Sequence, residues 1–185
     1  HSDAILMNNQ LFERVKAVYD SRKSCDLNAE QIRLTEKIYD DFVRSGALLN
    51  AEQKERLKAI NEELSTLSVR FGSNVLAENN NYVLYQTDKD VAALPTPIRD
   101  AAKEKAAELG EKGKYAFTLH KPSMIPFLTH APNRAAREEI YKAYINRCNN
   151  NDEFDNKQII NDMVRLRAEK AQLLGYNNYA EYVIS

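Results

Sequence analysis

Asn50-Ala51-Glu52-Gln53-Lys54-Glu55-Arg56-Leu57-Lys58-Ala59-Ile60-Asn61-Glu62-Glu63-Leu64-Ser65-Thr66-Leu67 decides the fold class of this chain. It opens with an Asn N-cap, an acidic first turn and a Gln three residues after the cap, the capping-box arrangement. From there Leu57, Ile60, Leu64, Leu67, Phe71 and Val75 recur at spacings of 3 and 4, one helical face. Lys54, Glu55, Lys58 and Glu62 fall on the other. Gly72 loosens such a helix without ending it. Continued to Glu78, it would be about 40 Å long at 1.5 Å per residue.

Upstream, Leu27-Asn28-Ala29-Glu30-Gln31 repeats the five residues Leu49–Gln53, 22 positions earlier. The similarity fades after the cap, so convergent capping is the better reading. The helix after Asn28 carries Ile32, Ile38, Tyr39, Phe42 and Val43 and stops at Gly46, a natural C′ residue. The short connection Ala47–Leu49 predicts antiparallel neighbours. Before it, Leu11, Val15, Val18 and Tyr19 mark a helix ending near Lys23.

Downstream, Asn79-Asn80-Asn81 reads as the end of the long helix, and Tyr82-Val83-Leu84-Tyr85 is β-prone. Thr96-Pro97 reads as an N-cap with Pro at N1, opening a helix that turns Ile98, Ala102, Ala106 and Leu109 inward and closes at Gly110. Tyr115–His120 alternates, with Tyr115, Phe117 and Leu119 on one side. Strand, helix, strand leaves open both a right-handed parallel crossover and an antiparallel ribbon. After Pro132-Asn133 a helix carries Ala136, Ile140, Ala143 and Tyr144, and Cys148–Glu153 is a solvated loop. A long helix from about Asn156 carries Ile160, Met163, Val164, Ala171 and Leu174 and ends at Gly175, and Tyr179–Ile184 begins one more. The expectation is a mostly α chain, antiparallel helical hairpins with a small β element in the middle. It reads as one helical domain over 1–185: hairpins over 1–78, a β-containing insertion with one helix over 79–130, and a hairpin over 131–185.

With 43% hydrophobic residues the chain can bury a core, while 26 Lys+Arg against 27 Asp+Glu leave no basic excess for nucleic acid. No apolar run approaches the roughly 20 residues of a membrane span, and no signal peptide is evident. The start at His1 without Met predicts a missing native N-terminus, and the final helix, stopping mid-pattern, predicts truncation. A cytoplasmic location is the expectation.

Catalytic zinc needs three protein ligands and an open position, commonly with two His one helical turn apart. The histidines are His1, His120 and His130, and no H-E-x-x-H occurs. His120 and His130 are ten residues apart across two prolines, so no helix is expected to put them on one face. The pairs Asp40-Asp41, Glu62-Glu63 and Glu138-Glu139 point about 100° apart on a helix and do not converge on one substrate atom. Cys25 and Cys148 match no metal or redox spacing. No G-x-S-x-G, phosphate loop or calcium loop is present. The expectation is no catalytic, cofactor-binding or metal-binding residue. Tyr19, Tyr39, Tyr141 and Tyr144 fit core stripes rather than a base-stacking surface.

Three stretches carry a resemblance. One is Leu57–Ser68 running on to Phe71-Gly72-Ser73-Asn74-Val75-Leu76. Another is Phe117-Thr118-Leu119-His120-Lys121-Pro122-Ser123-Met124-Ile125-Pro126-Phe127-Leu128, followed by Asn133-Arg134-Ala135-Ala136-Arg137-Glu138. The last is Arg165–Tyr176 with Asn178-Tyr179-Ala180-Glu181-Tyr182. In order and spacing they resemble the thimet oligopeptidase, oligopeptidase A and peptidyl-dipeptidase (dipeptidyl carboxypeptidase) family of zinc metallopeptidases, across essentially the whole chain. His1–Ile5 with Leu11–Val15 is most similar to the peptidyl-dipeptidase branch.

The resemblance implies a large helical enzyme whose channel admits short peptides. Its zinc is held by an H-E-x-x-H helix and a downstream Glu, and the motif Glu acts as general base on zinc-bound water. This chain resembles the region before that motif, so the implied role is enzyme body or channel wall. The rest of the parent chain is its partner, short peptides are the parent's substrates, and zinc is a cofactor of the parent alone. A stand-alone helical interaction scaffold is the alternative. Tyr179, Tyr182 and Val183 predict a bare face on the last helix, which a homodimer would cover.

Overall fold

The computed structural model describes residues 5–184, and helices hold 69% of them. In chain order they are α1 (Asn9–Ser21), α2 (Ala29–Arg44), α3 (Ala51–Asn81), β1 (Val83–Gln86), α4 (Asp88–Val91), α5 (Thr96–Glu108), β2 (Tyr115–Thr118), α6 (Lys121–His130), α7 (Arg134–Ile145), α8 (Lys157–Leu173) and α9 (Tyr179–Ile184). The described residues form two compact units, one within His1–Leu67 and Asn161–Ser185, the other Ser68–Ile160.

Local chemistry sets the first unit's helix starts. Gln31 N–H donates to Asn28 Oδ1 at 2.9 Å, and Asn28 N–H donates to Gln31 Oε1 at 3.0 Å. Gln53 and Asn50 exchange the same two bonds at 2.9 and 3.1 Å. Gly46 has φ +93° and closes α2 in the left-handed region. An added Cβ there would lie 2.6 Å from Leu57 Cδ2, so the turn needs glycine twice over. Between α1 and α2, Tyr19 stacks on Tyr39 at 3.9 Å, and Phe12 sits 5.7 Å from Tyr39 and 5.9 Å from Phe42. The hairpin thus buries Phe12 and Phe42, while Leu11 and Val18, expected inward, are 36% and 52% exposed.

Helix α3 runs on through Asn79–Asn81, where the triple Asn had read as a break. Leu57 and Ile60 are buried as their spacing predicts, but Leu64 and Leu67 are only half-buried and Phe71 is exposed. In α8 the buried residues are Ile159, Leu166 and Ala171: Ala171 is buried as expected, whereas Ile160 and Val164 face outward, so the stripe is rotated in the first half of the helix. One residue of phase is enough: a 100° step moves a side chain from core to surface. Gly175, φ +87°, follows α8 as expected.

In the second unit the strands pair antiparallel, Val83 with Thr118 through Gln86 with Tyr115, which settles the ribbon against the crossover. The expected alternation in β2 is absent, because α5 and α6 pack on the strand and every residue from Tyr115 to Leu119 is buried. A strand covered on both faces needs no polar side. Helix α5 begins at Thr96 with Pro95 at the cap, one position earlier than Thr96-Pro97 suggested, and Leu109 is exposed. The largest departure is α6, a helix across both prolines of 120–130. Pro122 lies in its first turn, where a missing N–H costs little. Pro126 removes an internal bond, and burial of Met124 and Phe127, the latter 4.3 Å from Phe117, offsets that loss.

Candidate functional site

The sequence candidates for chemistry are held apart. His120 caps α6 and approaches Thr118 Oγ1 at 3.3 Å, whereas His130 is the last residue of the same helix. His120 lies just before the helix and His130 at its end, so ten residues separate them by about 15 Å at 1.5 Å per residue. Among the described residues no three His, Cys, Asp or Glu come close enough to hold a metal. His1 lies outside the described residues. Residues 40, 41, 62, 63, 138 and 139 are all exposed. Lys142 Nζ lies 2.6 Å from Glu138 Oε1 and lowers its pKa through that hydrogen bond. These are solvated helix faces. The donor set fits no catalytic zinc.

Cys25 is exposed and Cys148 buried. Desolvation, with a hydrogen bond to Glu78, pushes the Cys148 thiol up to about 11, so it is an inert thiol at neutral pH.

Sequence reasoning missed the polar lock around that cysteine. Its segment is not simply a solvated loop. The Glu78 carboxylate accepts from the Cys148 N–H and from Asn150 Nδ2. Arg147 Nη1 donates to Asn79 Oδ1 at 2.8 Å, and its guanidinium lies 3.9 Å from the Tyr144 ring centroid. Asn74 Nδ2 donates to Asn156 Oδ1 at 2.9 Å, and Asn156 Nδ2 to the Phe71 carbonyl at 3.3 Å. Asn156 is 1% exposed, so its amide depends on these partners. Cys148 and Asn151 hold left-handed φ of 59° and 57°, a conformation that costs non-glycine residues energy and that the lock supports. Partners 68 to 85 positions apart leave no local signature.

The same unit carries an apolar cleft of about 330 Å³ between α5, β2 and α6, lined by Ile98, Ala102, Lys105, Phe117, Ser123 and Pro126 among others. Ser123 Oγ is already committed as acceptor of the Thr118 N–H at 3.0 Å, and no His is among the lining residues. The cleft can bind, but it offers no activated nucleophile.

Similarity to known proteins is the deciding observation. The profile of peptidase family M3 matches residues 127–185. The organellar oligopeptidase A of Arabidopsis thaliana chloroplasts and mitochondria is 37% identical over 178 residues, 92% of this chain and 22% of its own length. The chain belongs to peptidase family M3. The probable cytosolic oligopeptidase A of Arabidopsis thaliana is 36% identical over 92% of the chain and 25% of itself. The dipeptidyl carboxypeptidase of Escherichia coli (strain K12) is 36% identical over 98% and 27%. Identity therefore does not separate the oligopeptidase A branch of the M3 family from the dipeptidyl carboxypeptidase branch that the opening residues favoured. The M3 chain spans about a quarter of the length of the curated relatives it matches.

Proposed function

We propose that this chain is a non-catalytic helical part of a zinc-dependent oligopeptidase of the M3 family, forming enzyme body or one wall of a channel that admits short peptides. The observation that carries the reading is its match over nearly its whole length to about a quarter of named peptidases. The reading is also supported by side chains arranged for packing, capping and interhelical locking rather than proton transfer. On this reading zinc and its general base belong to the rest of the parent chain, whose substrates are short peptides. No helix among the described residues is long and apolar enough to cross a membrane. A cytoplasmic location belongs to the same proposal and is checked by fractionation of the full-length protein. The function test is a quenched-peptide assay of the full-length protein. Turnover abolished by a chelator and restored by zinc is expected. A full-length product without an H-E-x-x-H helix and without turnover would return the chain to the scaffold alternative.

A further inference from the structure

Strand β2 has one edge that β1 does not cover. Thr118 N–H donates to Ser123 Oγ at 3.0 Å, so it points away from β1. Along an antiparallel pair, residues alternate between turning both backbone groups toward the partner strand and turning both away. Ala116, two positions before Thr118, therefore also turns its N–H and C=O away from β1, opposite Tyr85 in a pair that exchanges no bond. Phe117, between them, faces its pair Leu84. Among the described residues no partner meets either Ala116 group, although Ala116 is only 1% exposed. Buried backbone N–H and C=O groups are costly unless paired. The apolar cleft of about 330 Å³ lies along this edge, with Ala116, Phe117 and Thr118 among its lining residues.

We infer that this cleft binds a short, extended, uncharged apolar peptide from another molecule, which adds a third strand to the sheet along Ala116. The inference goes beyond the peptidase-segment reading and does not depend on it. Backbone geometry selects an extended occupant. One residue of an added strand offers its C=O to the Ala116 N–H and its N–H to the Ala116 C=O, the double exchange of a bonded strand pair. A helix cannot answer these groups, because its own backbone bonds are internal. The walls select the side chains. Ile98, Ala101 and Ala102 of α5 and Pro122 and Pro126 of α6 present apolar surface. Lys105, the one charged lining residue, pairs with Glu108 at 2.9 Å, so its charge is already answered. Ser123 Oγ accepts from Thr118 and keeps its own O–H to donate to a peptide carbonyl. The volume stands at the lower end of ligand sites, which run from roughly 300 to 1,000 Å³, and suits a few residues of chain.

The test uses the full-length protein, treated with chelator so that no peptide is cleaved, and the probe acetyl-Ala-Val-Val-Ala-amide. Amide hydrogen exchange is read residue by residue by mass spectrometry. Without peptide, the Ala116 amide should exchange faster than that of Phe117, which β1 holds. With saturating peptide, exchange at Ala116 should slow at least tenfold. The fully N-methylated counterpart, which cannot pair as a strand, should leave Ala116 unchanged. So should the original peptide added to Ala101→Phe, whose ring fills the cleft. No slowing with the probe overturns the inference, and equal slowing by the N-methylated peptide overturns it in favour of apolar filling alone. Slowing that persists in Ala101→Phe places the peptide elsewhere and refutes the site. An Ala116 amide already slow before peptide is added, and unmoved by it, assigns the edge to a segment of the parent chain and refutes it as well. Should Ala101→Phe fail to fold by circular dichroism, the N-methylated comparison on the unaltered protein still decides. Peptide turnover by the zinc-loaded protein judges the peptidase reading separately, since exchange at Ala116 does not depend on catalysis.

Discussion

Around β2, twelve buried residues from Leu84 to Ile140 form one cluster, whereas the α1–α2 hairpin buries a cluster of three: Phe12, Phe42 and Ala47. The first packs α5 and α6 on β2, with Phe117 against Phe127. The second is a single layer of two helices that stack Tyr19, Tyr39, Phe12 and Phe42 along one seam. That smaller seam leaves Leu11, Val18, Leu34 and Ile38 between 36% and 58% exposed.

Truncating the larger cluster should have the largest effect. Phe117→Ala is expected to cost about 3–5 kcal/mol in denaturant unfolding, the range for removing a buried Phe. Val18→Ala in the isolated chain should stay within about 0.5 kcal/mol, as for a surface site. Comparable losses at both positions would break the contrast between the two regions.

The polar lock of the second unit comes next. Asn156→Ala takes the Asn156 acceptor from the Asn74 side-chain amide and removes the second bond to the Phe71 carbonyl, an expected loss of about 1–3 kcal/mol. The Asn74→Ala, Asn156→Ala double variant should lose less than the sum of the singles, because the two amides share one bond. Strict additivity would mean that bond carries no coupling.

Two glycines sharpen the comparison through the sign of the effect. Gly46→Ala meets Leu57 at a left-handed turn and should destabilise by more than about 1 kcal/mol. Gly72→Ala, mid-helix with nothing within 4 Å, should stabilise by roughly 0.5–1 kcal/mol. The same sign for both would contradict the account of the hairpin turn.

How much of this was legible depended on range. The Asn28 and Asn50 capping boxes and the Gly46 and Gly175 stops involve residues within a few positions, and sequence showed them directly. Helix α6 was hidden because Pro126 forbids by local rule what Phe127 against Phe117 stabilises at long range. The α8 face was missed because Ile159 and Ile160 are equivalent in a pattern but 100° apart in space. The bare face expected on α9 needs correction as well. Tyr182 packs on Tyr176 at 5.3 Å and under the Arg44 guanidinium at 5.2 Å, which leaves Val183 and Ile184 outward. For the site, the sequence offered no convergent chemistry, and the lock joining Glu78 to Cys148 had no local spacing to betray it.

A smaller effect separates the thiols. Cys25 should consume a thiol reagent at once at neutral pH, whereas Cys148, with its pKa pushed up to about 11, should react only as the pH approaches that value or the chain unfolds. Two fast thiols at pH 7 in the folded chain would show the Glu78 lock open.

The most direct test of the central claim is turnover of a quenched peptide by the isolated 185-residue chain, with zinc added across a wide range. The account predicts no hydrolysis above buffer at any zinc concentration, because His120 and His130 sit at opposite ends of α6 and no third ligand joins either among the described residues. Turnover that a chelator removes and zinc restores would contradict it.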